Sequence, residues 1–162
     1  MLTRKLSWII APLTLAATVA MASPTRAYDP HDVQTLLLTN ICPGCDLSGA
    51  NLSQAHLIGA DLRGANLEGA ILIETNLEGA DLTGANLKGA TLNQAFLTDA
   101  SLVATDLSGA DFTQAILYNV DVNGAIMDNM IVTDAQIFNT DIPLGIGGDI
   151  EQVDPEQVPY NR

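Results

Sequence analysis

From residue 45 to residue 142 the apolar positions recur at every fifth residue. Leucine stands at 47, 52, 57 and each fifth place to 107. The series continues as Phe112, Leu117, Val122, Met127, Val132, Ile137 and Ile142, twenty apolar centres without a break. Two residues before each centre the side chain is small, being alanine in fourteen units and threonine in three (Thr75, Thr105, Thr140), with Cys45, Val120 and Met130 the others. A period of five fits neither the 3.6 of a helix nor the 2 of a flat strand. Within each unit, though, the small residue and the centre lie two apart, so a short extended stretch turns both to one side. The remaining residues often end in glycine, as at Gly59, Gly64 and Gly79, and can turn a corner through positive φ. The pattern predicts a chain coiled about an aliphatic axis. The period alone leaves the number of sides open.

The flanks read differently. Asp29 to Leu38 has the signature of a short helix, with Asp29 as N-cap and Pro30 in the first helical position. Val33, Leu36 and Leu37 form its predicted buried stripe, laid over the open end of the first coil. Beyond Ile142, Pro143 and the run Gly145–Gly148 stop the repeat. Leu144 and Ile146 either fold back as a lid or leave the last coil free to pair with another copy. Residues 149–162, with four acids and two prolines, are expected to be disordered. At the other extreme, Arg4 and Lys5 precede an apolar run from Trp8 to Ala22, and small residues follow it, the order of a secretory signal peptide. That run is about 15 residues long and holds Pro12, whereas a spanning helix needs ~20. An uncleaved anchor is the rival reading. The expected organisation is a signal peptide over 1–27, a capping helix and linker over 28–44, the repeat over 45–142, and a C-terminal cap with an acidic tail over 143–162. An exported protein with no stable membrane insertion after cleavage follows.

Composition sharpens this picture. Hydrophobic residues make up 48% of the chain and aromatics only 4%, so the core must be aliphatic and regular. Nineteen acids oppose six bases. Without residues 1–27 the balance is nineteen against three, a formal charge of −16. Nucleic acid is excluded as a partner, because binding it needs lysines and arginines to displace counterions.

The units Ala60-Asp61-Leu62-Arg63-Gly64 and Ala80-Asp81-Leu82-Thr83-Gly84 show the motif Ala-(Asp/Asn)-Leu-x-x, which resembles the pentapeptide-repeat family over residues 45–142. The resemblance implies an all-β fold, a right-handed four-sided parallel β-helix. Four units per coil then give about five coils, a solenoid roughly 24 Å long at the spacing of paired strands. The resemblance also allows a homodimer through the C-terminal coil. The Cys-x-x-Cys opening is similar to those of cyanobacterial and plastid-lumen members, which implies a photosynthetic source, and the exported chain is expected in the periplasm or the thylakoid lumen.

Cys42-Pro43-Gly44-Cys45 is the only cysteine pair. Zinc would need two more ligands, with only His31 and His56 to help, and a redox centre of the thioredoxin kind needs a βαβ context that is absent. In an oxidising compartment the pair reads as a structural disulfide pinning the cap, with a thiol–disulfide redox role as the alternative.

With four units per coil, residues twenty apart share a face. One face carries Asp61, Asp81, Ser101, Asp121 and Asp141 in a column, either a solvated acidic stripe or a docking surface for a basic partner. The preceding face carries Phe96, Ile116, Tyr118 and Phe138 at outward positions, a candidate patch for an unknown protein partner. His31 and His56 have no nucleophile or carboxylate orienter. No catalytic, metal or cofactor site is expected, and the chain reads as a non-enzymatic structural or protein-interaction module. The family offers a second reading, an acidic mimic of duplex DNA that binds DNA gyrase. Residues 45–142 hold thirteen acids and two bases. That is about one net charge per 2 Å, close to the ~1.7 Å of B-DNA. Gyrase is cytoplasmic, however, and the leader predicts export.

Overall fold

The computed structural model describes residues 28–142 and the backbone of Glu151 and Gln152. The predicted leader, the Leu144/Ile146 lid and most of the acidic tail lie outside the described residues.

Regular secondary structure is sparse. Among the described residues a single helix, α1 (Pro30–Thr39), precedes three short strands, β1 (Ile116–Tyr118), β2 (Gln136–Phe138) and β3 (Glu151–Gln152), which form one open parallel sheet in that order. Elsewhere the ladder consists of single-residue parallel bridges, each joining residue i to residue i + 20. Four units therefore complete one circuit. The bridges fall into four columns, beginning at Ile41, Asp46, Asn51 and His56. The fourth column passes through Asn76 and Phe96 to Ile116 and then into β1 and β2.

Each side of the coil follows from the five-residue unit. The amide of a centre donates to the coil below, as Leu62 N–H does to the Asp81 carbonyl at 2.8 Å. The amide before it donates to the coil above, as Asp81 N–H does to the Ala60 carbonyl at 2.9 Å. A 3.0 Å bond from Ala65 N–H back to the Leu62 carbonyl closes the corner. The corner requires a left-handed residue two places after each centre, and every such position from 44 to 139 has positive φ. Glycine fills ten of these twenty corners. The others include Gln54, Glu74, Ala104 and Asn119.

The centres line the axis. All are buried except Met127, which is partly buried, and Phe112 sits among the leucines without reaching solvent. Two threonines at the small inward position, Thr75 and Thr105, are fully buried yet satisfied. Their hydroxyls donate to the Leu52 and Leu82 carbonyls at 2.8 and 2.9 Å, and Thr140 does the same to Leu117 at 2.9 Å. A buried hydroxyl is tolerated where a carbonyl stands ready to accept it.

The structure departs from the sequence reading at both ends. Stacking begins at Ile41, which bridges Asp61, rather than at Cys45. Cys42 is buried at the place where a centre would fall, so residues 41–44 form a side of the solenoid instead of a linker. The unit was hidden because Asn40 and Cys42 replace the usual alanine and leucine. Asp29 does cap α1, accepting from His31 N–H at 2.8 Å. Leu36 is buried and Val33 packs against the core, but Leu37 is exposed. The helix ends at Asn40 in the left-handed conformation, and of the leucines in its last turn only Leu36 is buried. At the far end, Glu151 and Gln152, read from sequence as part of a disordered tail, pair in parallel with Gln136 and Ile137. They add a strand to the edge that the last coil leaves open.

Candidate functional site

The bridging residue of each unit is most often Asp or Asn, and the structure gives that choice a local reason. In ten units its side-chain oxygen accepts the backbone N–H two residues on, as Asp81 does from Thr83 at 3.0 Å and Asp121 from Asn123 at 3.0 Å. These Asx turns hold each corner. Alternate stacking of Asp and Asn also links rungs side by side, with Asn66 donating to Asp46 at 3.0 Å and Asn86 to Asn66 at 3.1 Å.

The acidic column is thus partly structural. Asp61, Asp81, Ser101 and Asp121 bridge one another in turn, while Asp141 is exposed beyond the last bridge of that column. Arg63 lies between the first two acids, 2.6 Å from Asp61 and 3.7 Å from Asp81. Its hydrogen bond holds the Asp61 carboxyl below the usual carboxylate value. Asp106, in the second column, is lowered by hydrogen bonds from the Ser108 hydroxyl and amide. Burial pushes Asp111 up, but bonds from Thr113 and Asn93 outweigh it and leave that group lowered as well.

The apolar patch divides in two. Phe96 bridges Ile116, and both line a groove of about 440 Å³ with Gln94, Gln114, Asp134 and Gln136. Phe96 is 38% exposed. Tyr118, read from sequence as outward, is only 6% exposed. Its hydroxyl donates to Gln136 Oε1 at 2.6 Å, and its ring meets Phe138 edge to face with centroids 6.4 Å apart. Rings on adjacent rungs are close enough to shelter each other, so Tyr118 braces the groove wall rather than contributing to the exposed surface. Sequence reasoning missed the polar rim. Gln94, Gln114 and Asp134 occupy left-handed corners, and only the twenty-residue register sets them beside Phe96, Ile116 and Gln136.

Cys42 and Cys45 are joined as a disulfide, with Cα atoms 5.4 Å apart. The first turn of α1 docks on this segment. Asp32 Oδ2 accepts Asp46 N–H at 2.9 Å, and Asp29 N–H donates to the Asp46 carbonyl at 3.0 Å. The Asp32, Cys42 and Cys45 donor atoms lie within 4.8 Å of one another. Among the described residues, no helix is long and apolar enough to cross a membrane.

A parallel ladder with a twenty-residue circuit, Asx-held corners and a leucine-alanine axis defines a solenoid of five-residue units. The pentapeptide repeats family matches in eight copies across residues 45–84, 60–99, 80–119 and 97–129, and the chain belongs to this family. Proteins of the family form right-handed quadrilateral β-helices and are generally non-enzymatic structural or interaction modules. Among solved structures the chain is similar to the pentapeptide-repeat protein Rfr23 of the cyanobacterium Cyanothece 51142, at 25% identity over 68% of this chain and 96% of that one, with a TM-score of 0.38. It is similar at 34% identity to a pentapeptide-repeat protein of the Arabidopsis thaliana thylakoid lumen, over 65% of this chain and 69% of that one, with a TM-score of 0.25. QnrB1, a plasmid-mediated fluoroquinolone resistance protein, matches at 18% identity over 66% of this chain and 61% of its own, with a TM-score of 0.30. No curated protein sequence matches.

Proposed function

We propose that this protein is a non-catalytic docking rod that works outside the cytoplasm and holds an extended segment of a partner protein in the groove beside Phe96 and Ile116. The observation that carries this reading is the groove itself, lined by two apolar side chains, three amides and one carboxylate. Such a composition suits a peptide. Apolar side chains of the partner would cover Phe96 and Ile116, its backbone would meet Gln94 and Gln114, and a basic residue would pair with Asp134. The rigid ladder favours binding because little ordering is left to do on association. The order of residues 1–27 and the lumenal relative support the exported location.

The test is affinity capture with the wild-type chain and with a Phe96→Ser/Ile116→Ser variant. Loss of the same captured protein from the variant is the expected result, and undiminished capture would overturn the assignment. Cell fractionation checks the location. Recovery of the unprocessed chain from the cytoplasm would return weight to the second reading, a mimic of duplex DNA, which the net charge of residues 45–142 favours. A supercoiling assay with purified gyrase then decides that case.

A further inference from the structure

The charge of this molecule is unevenly distributed along the rod. Residues 33–60 contain a single charged side chain, Asp46, whereas residues 61–142 contain twelve acids and two bases. The neutral stretch covers most of α1 and the first coil, and four large aliphatic side chains stand exposed on it among uncharged polar ones. Leu37 is 53% exposed, Leu38 76%, Ile41 58% and Ile58 54%. The backbone brings these residues to one end of the rod. Asn40 closes α1 in a left-handed cap and its Nδ2 donates to the Ile58 carbonyl at 3.3 Å, which sets the helix C-terminus against Ile58. Ile41 follows directly and heads the first column above Asp61. The nearest carboxylate below, Asp61, is already paired with Arg63. Asp29, Asp32 and Asp46 gather at the opposite end of the helix, around its first turn.

We propose that two copies of this chain associate head to head through the face formed by Leu37, Leu38, Ile41 and Ile58. The occupant follows from the charge. A chain this acidic repels a second copy wherever carboxylates would meet, and residues 121–162 alone carry eight acids against one base. The neutral end lets identical surfaces approach without that repulsion, and contact there buries aliphatic side chains in return. A twofold contact requires a self-complementary patch, which an apolar one supplies. Four half-exposed aliphatics make a face of a few hundred Å² at most, in the range of a concentration-dependent dimer rather than an obligate one. Contact at this end would leave both grooves free, so the inference stands independently of the groove assignment.

Sedimentation equilibrium of the purified chain over a range of concentrations tests it. The wild type is expected to pass from monomer to dimer. Leu38→Glu and Ile58→Glu should each weaken that association about tenfold or more, while Ile131→Glu, toward the other end of the rod, should leave it unchanged. Leu38 and Ile58 are exposed, so their variants should fold, and a mixture supplies the check. Leu38→Glu and Leu38→Lys chains, each monomeric alone, should associate when combined, which unfolded proteins would not do. A wild type that stays monomeric throughout would overturn the proposal. So would a dimer that survives Leu38→Glu and is lost in Ile131→Glu, since that outcome places the contact at the C-terminal coil.

Discussion

Single residues matter here mainly through the corner they must turn. Ala104 holds φ at 53°, where a Cβ is unwelcome and no side-chain oxygen compensates. Ala104→Gly should therefore raise stability by roughly 0.5–1 kcal/mol, after the greater freedom of glycine in the unfolded chain is subtracted. Urea denaturation would measure it. At Thr105 the opposite trade holds. Its buried hydroxyl serves the Leu82 carbonyl, so Thr105→Val should cost about 1 kcal/mol despite the gain in apolar surface. Acid sensitivity is likewise set by individual side chains. Asp106 and Asp111 titrate below their ordinary value in the folded chain. Their contribution is present above the unfolded value of about 3.9 and is lost as pH falls through the lower folded values. An Asp106→Asn/Asp111→Asn variant should lose less stability between about pH 5 and pH 3 than the wild type does, as read by thermal melts across that window.

At the level of elements, the helix and the last strand do the same job at opposite ends. An open coil exposes a row of unpaired backbone groups, and a neighbouring chain could extend it. α1 meets the first coil with Leu36 in the core and with Asp32 on the Asp46 amide. Leu36→Ala should cost about 2–5 kcal/mol, because its side chain is fully buried in the core. Hydrogen exchange should show the loss first in the opening coil, since each rung of a solenoid leans only on its neighbours. The disulfide closes a loop of only two intervening residues. Reducing it should thus lower stability by no more than about 2 kcal/mol and leave the central coils protected.

For the whole molecule, surface chemistry depends on register. Residues from three successive coils build the groove, and residues from α1 and two different units build the apolar end. Neither neighbourhood is visible in any five-residue window. Tyr118 makes the point. Its outward position in the unit was legible, but the ring of Phe138 and the amide of Gln136, twenty and eighteen residues on, cover it. The first side of the solenoid was likewise hidden, since Asn40-Ile41-Cys42-Pro43-Gly44 lacks both residues that mark a unit and only the Ile41–Asp61 bridge reveals it.

The coil follows from the spacing of the apolar residues alone. Twenty apolar centres at one interval can be buried together only by winding the chain, and the small residue beside each leaves room for the wall. The capping helix was also legible, because its N-cap and first proline are local signals. Which outward side chains remain exposed, where the acids find amides or Arg63, and how the two ends are closed depend on contacts between coils. Burial of a centre is fixed by its own unit, whereas exposure of a surface residue is set by neighbours a full circuit away.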